Sequence, residues 1–146
     1  MEEQAKAWNA GEVKAAGLPF AKWSTQERLH FLHELPKPLP TAKMAELDQA
    51  LGLSKTGNSE VLFAWLEHVI ASKYQPGYPA LRAFLTGQGR MKFLRPLYLA
   101  LSKDGEQKKL AEEIYESARP GYHPLAVDLI DAVLRPATAA AAQGTR

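Results

Sequence analysis

Residues 59–73, SEVLFAWLEHVIASK, are the stretch that decides the fold. Its apolar side chains recur at helical spacing on one stripe, which consists of Leu62, Trp65, Leu66, Val69 and Ile70 and is broadened by Val61 and Phe63. A helix that lies on the surface of a protein carries a narrower apolar stripe and an opposite polar face. The sequence therefore predicts a central helix that packs on more than one side.

Two helices are predicted on the N-terminal side of the central helix. Ser24 and Glu27 have the spacing of a capping box, so a helix is expected to start there. The prolines of PKPLP, residues 36–40, end that helix by Leu35 and form a stiff connector. After the connector, Thr41 is predicted to cap a helix that ends at Gly52, where a left-handed backbone is wanted.

Four further amphipathic segments follow the central helix. Their apolar positions at helical spacing are Leu81, Phe84 and Leu85; Leu97, Tyr98 and Leu101; Leu110, Ala111, Ile114, Tyr115 and Ala118; and Ala126, Leu129, Ile130, Val133 and Leu134. The first segment is expected to start at Pro79 and to stop at Gly87 and Gly89. Pro96 is predicted to lie in the first turn of the second segment, which leaves 89–94 as a non-helical or loosely wound approach.

The pattern as a whole is typical of an all-α protein. No β-branched run alternates with polar residues for long enough to indicate a strand. Short turns between consecutive helices favour antiparallel pairs, as in helical-repeat superhelices and irregular bundles. We predict an N-terminal helical lead-in or linker at 1–23, one helical domain at 24–135 and a flexible tail at 136–146, where ATAAAAQGTR offers little to bury.

Composition excludes several classes of function. The 18 Lys and Arg residues nearly balance the 16 Asp and Glu residues, and a net charge of +2 gives no general attraction to nucleic acid or to a membrane. The absence of cysteine excludes disulfides and thiolate metal sites. Without a signal peptide or a run of roughly 18 apolar residues, the chain is expected to be soluble and cytoplasmic.

The histidines do not form a catalytic or metal-binding set. His33 and Glu34 begin a metalloprotease motif, H-E-x-x-H, but Lys37 stands where the second histidine belongs. His30 and His33 are interpreted as part of a solvated face, and His68 as a hydrogen-bonded packing residue. His123, between Tyr122 and Pro124, is interpreted as the start of a helix. No catalytic residue and no metal ligand is therefore predicted in this chain.

Three cations lie close together at a break between two predicted helices. Arg90, Lys92 and Arg95 lie in GQGRMKFLRP, residues 87–96, which contains no acidic residue. A helix N-terminus disfavours cations, so a merely solvated face is an unusual explanation, and one small cluster is a poor nucleic-acid surface. Anion binding at a helix start remains. A guanidinium beside an ammonium suits a carboxylate.

The backbone at these cations decides whether they share a ligand. If the segment is extended, Arg90 and Lys92 point the same way, because side chains alternate along an extended chain. If the segment is helical, the two side chains diverge by about 200° and cannot easily share a ligand. The sequence leaves both arrangements open.

Three separated motifs carry a resemblance to a known family. TGNSEVLFAWLEHVI at 56–70, FLTGQGRMKFLRPLYLAL at 84–101 and ARPGYHPL at 118–125 occur in the order expected for it. The chain, over roughly residues 8–134, resembles the C-terminal helical domain of the leukotriene A4 hydrolase and aminopeptidase B branch of the M1 zinc aminopeptidases. AKWST at 21–25 and the proline-rich connector are similar to bacterial members.

The resemblance implies a fold and a role. The fold is a right-handed α-α superhelix of antiparallel helix pairs, similar to armadillo or HEAT packing, with no zinc ligand of its own. Zinc is expected in the catalytic domain of a parent chain, which is the expected partner of this domain. Arg90 and Lys92, which match the family's G-R-M-K segment, are implied to hold the C-terminal carboxylate of a peptide substrate. The alternative is a free-standing helical-repeat interaction module without enzyme activity.

Overall fold

The computed structural model describes residues 2–87 and 90–134. These residues form two compact units, which divide the chain between Tyr78 and Pro79. Within the described ranges every regular element is a helix and none is a strand. The all-α prediction is confirmed. The superhelical arrangement and the domain bounds stay predictions, and the predicted tail at 136–146 lies outside the described residues.

The first unit contains four α-helices. They are α1 (Glu2–Asn9), α2 (Thr25–Glu34), α3 (Thr41–Leu51) and α4 (Ser59–Ser72), with short 3-10 turns at Ala15–Gly17, Phe20–Lys22, Leu53–Lys55 and Gln75–Gly77. Helix α4 contacts both α2 and α3. Its buried side chains lie on several of its sides, and they are Val61, Ala64, Trp65, Leu66, His68, Val69 and Ile70. The prediction of a central helix is confirmed.

The ends of these helices follow local rules in two of three cases. The Ser24 hydroxyl accepts a hydrogen bond from the Glu27 N–H at 3.2 Å, and the Glu27 carboxylate accepts one from the Ser24 N–H at 2.9 Å, which confirms the capping box. Gly52 has φ 63° and ψ 35°, which confirms the left-handed end of α3. Thr41 is not the cap, because Pro40, with φ −58° and ψ 148°, already occupies the capping position and Thr41 is the first helical residue.

The N-terminal residues are packed into the first unit. Ala5, Trp8, Ala15 and Phe20 are all buried. The Glu46 carboxylate on α3 accepts hydrogen bonds from the Trp8 indole N–H at 2.9 Å and from the Ala15 N–H at 2.6 Å. The bond from the Ala15 N–H, followed by the bond from Trp8, lowers the pKa of Glu46. One carboxylate thus fastens two N-terminal segments to α3.

Replacing Glu46 should release these segments while leaving the rest of the unit folded. In Glu46→Ala the Trp8 N–H and the Ala15 N–H lose their common acceptor, and we expect faster tryptic cleavage at Lys14 and Lys22. Glu34→Ala is a matched control, since Glu34 forms an exposed pair with His30 at 3.2 Å. Equal cleavage rates in the two variants would show that apolar burial alone holds the N-terminal residues.

The second unit is built around one helix. Its α-helices are α5 (Tyr78–Gly87), whose first residue is the last of the first unit, α6 (Met91–Ser102), α7 (Gly105–Ala118) and α8 (Pro124–Leu134), with a 3-10 turn at Arg119–Gly121. Helix α6 contacts both α7 and α8. The side chains that α6 contributes to the core are Phe93, Leu94, Leu97, Tyr98 and Leu101, each at most 2% exposed.

The predicted position of Pro96 is wrong. Helix α6 begins at Met91, so Pro96 lies inside it rather than in its first turn, and residues 91–94 are helical. A proline in a helix interior costs about 3 kcal/mol because one backbone hydrogen bond is lost. Burying Phe93 and Leu94 returns about 1.5–3 kcal/mol each. Burial therefore offsets the local preference of proline and extends the helix towards Arg90.

His68 is a buried hydrogen-bonding residue of the first unit, as predicted. It is 0% exposed, and its Nε2–H donates to the Leu32 carbonyl in the last turn of α2 at 2.6 Å. Its Nδ1 has no hydrogen-bond partner among the described residues. Burial lowers the pKa of His68 to about 4, so the ring is neutral near pH 7.

This lowered pKa makes the stability of the chain depend on pH. The unfolded chain binds a proton at His68 below pH 6.5, whereas the folded chain resists it until about pH 4. Stability is therefore present above that range and is lost as the pH falls. We expect urea unfolding to show a free energy lower by about 2 kcal/mol at about pH 5 than at about pH 7.5.

The variant His68→Gln tests this assignment. The glutamine amide can still donate to the Leu32 carbonyl but takes up no proton in this range. The additional loss of unfolding free energy at low pH should therefore disappear in His68→Gln, and it should remain in His33→Gln. An unchanged pH dependence in His68→Gln would contradict the assignment.

Candidate functional site: the basic start of helix α6

The two predicted site residues lie together at the start of α6. Arg90 directly precedes the helix, with φ −80° and ψ 122°, and Lys92 lies in its first turn. The Arg90 carbonyl accepts hydrogen bonds from the N–H groups of Phe93 at 3.0 Å and Leu94 at 3.1 Å. Both cationic side chains are exposed. The backbone of Arg90 is thus fixed to α6 while its side chain reaches solvent.

Neither of the two backbone arrangements considered from the sequence describes this segment. Arg90 is extended, whereas Lys92 is helical. The helical divergence of about 200° applies only when both residues are helical. The junction between an extended and a helical residue therefore sets the relation of the two side chains, and the predicted non-helical approach is corrected for residues 91–94.

An aromatic contact anchors the start of α6. The Phe93 ring packs edge-on against the Phe84 ring of α5, with 5.6 Å between the ring centroids and 62° between the planes. The Lys92 Nζ lies 4.8 Å from the centroid of the Phe93 ring, within the range of a cation–π contact. One buried ring thus joins α5 to α6 and also contacts one of the two cations.

The electrostatics of this helix start favour an anion. The first turn of α6 contains no acidic residue, and Arg90, Lys92 and Arg95 are all exposed. The N-terminus of a helix carries partial positive charge and binds anions. A guanidinium adds paired N–H donors that match the two oxygens of a carboxylate. The arrangement is therefore chemically suited to a carboxylate or a similar oxyanion.

The sequence analysis missed a group of hydrogen-bonded tyrosines next to α6. The Tyr98 and Tyr122 hydroxyl oxygens lie 2.9 Å apart, and the Tyr122 hydroxyl also donates to the Leu85 carbonyl. The single proton of the Tyr115 hydroxyl faces two acceptors, the Val127 carbonyl at 3.0 Å and Asp131 Oδ1 at 2.7 Å. The periodicity placed Tyr98 and Tyr115 on apolar stripes. The available signal was their hydroxyl groups, since a buried tyrosine needs a polar partner.

These tyrosines stay protonated at ordinary pH. Burial raises the pKa of Tyr98 and of Tyr122, and the hydrogen bond between them raises that of Tyr98 further. Burial and then the hydrogen bond to Asp131 raise the pKa of Tyr115 to about 12. All three hydroxyls are therefore hydrogen-bond donors, and none is a general base near pH 7.

Two other histidines singled out from the sequence have ordinary hydrogen-bond partners within their own helices or turns. His30 pairs with the Glu34 carboxylate at 3.2 Å. The His123 Nδ1 accepts a hydrogen bond from the Leu125 N–H at 3.1 Å, which confirms His123 as the start of a helix. Over residues 2–87 and 90–134 there is no group of three or more His, Cys, Asp or Glu side chains that could hold a metal. Helices in these ranges are too short or too polar to cross a bilayer.

Comparison with known proteins identifies the family. Residues 23–134 match the family described as leukotriene A4 hydrolase, C-terminal. The chain belongs to this family, which confirms the resemblance carried by the three motifs. Among solved structures, it is similar to yeast leukotriene A4 hydrolase in complex with bestatin, with a TM-score of 0.67 and 26% identity over 92% of this chain and 24% of that one.

Curated relatives include aminopeptidases. Leucine aminopeptidase 2 of Neurospora crassa is 30% identical over 88% of this chain and 20% of its own length. Human aminopeptidase B is 27% identical over 92% of this chain and 22% of its own length. Leukotriene A-4 hydrolase of Xenopus laevis is 32% identical over 66% of this chain and 16% of its own length. The chain thus spans about a fifth of the length of these relatives.

Proposed function

We propose that this chain is the C-terminal domain of a zinc-dependent M1 aminopeptidase and that it helps to shape the substrate cleft. Arg90 and Lys92 anchor the C-terminal carboxylate of the peptide. The observation that carries the proposal is their joint position at the start of α6, within the segment that matches the family. The names of the relatives support peptide hydrolysis, and their greater length supports a catalytic domain elsewhere in a parent chain. We propose that this parent chain is cytoplasmic.

The role of the domain is to bind and orient the substrate rather than to catalyse. The described residues offer no set of zinc ligands, so no step of the chemistry is assigned to them. A guanidinium that grips both carboxylate oxygens fixes the end of the peptide, and the ammonium of Lys92 adds a second positive charge. Fixing one end of a substrate favours reaction because less freedom is lost in the transition state.

Removing the guanidinium should impair the hydrolysis of peptides with a free carboxylate selectively. In the intact aminopeptidase, we expect Arg90→Ala to lower kcat/KM for a tripeptide acid by about ten- to 150-fold, because a charge-assisted hydrogen bond contributes about 1.5–3 kcal/mol. The tripeptide amide, which lacks the carboxylate, should change little. Steady-state kinetics with the two substrates measures the ratio.

Arg95→Ala is the matched control for this experiment. Arg95 is also an exposed arginine on α6, but it lies further along the helix than Lys92. Its removal should leave the ratio of acid to amide turnover unchanged. Equal losses for the acid and the amide in Arg90→Ala would exclude a carboxylate anchor and indicate a role in folding.

The size of the native gene product tests the parent chain itself. Because this chain spans about a fifth of its relatives, we expect an immunoblot of source cells to show a band several times heavier than 16.1 kDa. A band at 16.1 kDa would contradict the aminopeptidase and favour a free-standing helical module that binds a peptide terminus without hydrolysing it.

A further inference from the structure

The buried carbonyl of Leu85 accepts a hydrogen bond from a side chain outside its own helix. Leu85 is 0% exposed and lies in the last turn of α5, which ends at Gly87. The last four carbonyls of a helix have no partner within it, and a buried carbonyl without a partner is costly. Tyr122, at the turn before α8, donates its hydroxyl to this carbonyl. A side chain from elsewhere in the unit thus caps the end of α5.

A second tyrosine determines the direction of this arrangement. The single hydroxyl proton of Tyr122 points to the Leu85 carbonyl, so Tyr98 must donate its own proton to the Tyr122 oxygen, 2.9 Å away. Tyr98 is 0% exposed and belongs to α6. Hydrogen bonds in series polarise and strengthen one another. The series Tyr98, Tyr122, Leu85, which we call the tyrosine relay, therefore links α6 to the end of α5.

The relay connects the two helices that flank Arg90. Its acceptor lies in the last turn of α5, and its first donor lies on the same helix as Lys92. The Phe84–Phe93 contact joins the same two helices by apolar packing, with 5.6 Å between the ring centroids. Packing of two rings permits sliding, whereas a hydrogen bond fixes distance and angle. The relay is the directional part of this joint.

We propose that Tyr122 and Tyr98 are positioning residues for the anion-binding start of α6. By fixing the end of α5 relative to α6, the tyrosine relay holds the Arg90 backbone where its guanidinium and the Lys92 ammonium act on one carboxylate. This inference rests on the proposed function for the ligand, but the mechanical link from the relay to Arg90 is measurable without it.

Hydrogen exchange in this chain tests the mechanical link. The reporters are the Phe93 and Leu94 amides, because both donate to the Arg90 carbonyl. In Tyr122→Phe, which removes only the hydroxyl, we expect these amides to exchange about tenfold faster, measured relative to the Ile114 amide of α7 to remove any global effect. Tyr98→Phe keeps the bond to Leu85 and should show a smaller acceleration.

Tyr115→Phe is the matched control. Tyr115 is also a buried tyrosine with a hydrogen-bonded hydroxyl, but its partners are Val127 and Asp131 on α8 and Arg119 after α7. Its removal should leave the Phe93 and Leu94 amides at their wild-type rates relative to Ile114. Unchanged rates in Tyr122→Phe, or the same acceleration in Tyr115→Phe, would overturn the proposal.

Kinetics of the intact aminopeptidase separates this inference from the proposed function. Tyr122→Phe should lower the ratio of acid to amide turnover by about tenfold, mainly through KM for the acid, since a misplaced anchor loses binding. If Arg90→Ala changes the ratio and Tyr122→Phe does not, the relay is no positioning device. If Arg90→Ala itself leaves the ratio unchanged, the carboxylate anchor fails, while the exchange result still decides whether the relay holds Arg90.

Discussion

The burial of Phe93 and Leu94 is the constraint on which the position of the basic residues depends. Both side chains are at most 2% exposed, and both lie in the first turn of α6. The helix therefore begins at Met91 despite Pro96 inside it. As a result Arg90 becomes the residue that precedes the helix, and its carbonyl accepts the first hydrogen bonds of α6. Core packing in the second unit thus determines where the backbone of Arg90 and Lys92 lies.

Cations at this position are electrostatically unfavourable for the isolated domain. A charge of the wrong sign beside a helix terminus costs about 0.3–1 kcal/mol when exposed, so this effect costs about 0.6–2 kcal/mol for Arg90 and Lys92 together. That is a noticeable share of the roughly 5–15 kcal/mol by which a domain is stable. An anion bound between the helix start and the two cations reverses the sign of this contribution. A ligand site is expected to lower the stability of the free domain and to recover that stability when the ligand binds.

Local patterns predicted most of the helices but not the joints between them. Ser24, Gly52 and the broad apolar stripe of α4 act over a few residues, and the structure confirms them. The start of α6 could not be predicted from the local sequence. Pro96 favours the first turn of a helix, but the burial of Phe93 and Leu94 outweighs that preference. The bond from Tyr122 to the Leu85 carbonyl joins residues distant in sequence. No periodicity reports such a pair, and the carboxylate site predicted at Arg90 and Lys92 rests on the cations of residues 87–96 together with the family motif.

In both units a buried side chain donates a hydrogen bond to a carbonyl in the last turn of a helix, but the donor group differs. In the first unit His68 donates to the Leu32 carbonyl in the last turn of α2, and in the second Tyr122 donates to the Leu85 carbonyl in the last turn of α5. A neutral ring donor suits a buried site, since a charged donor would lose its hydration. Burial lowers the pKa of His68 to about 4, so the folded chain protonates this ring only near or below about pH 4. Burial raises the pKa of Tyr122 above its ordinary value of 10.0, so its hydroxyl keeps its proton at neutral and acidic pH. The Tyr122 hydroxyl, which links α6 to the end of α5 next to Arg90, therefore keeps its proton over the pH range in which a substrate carboxylate is charged.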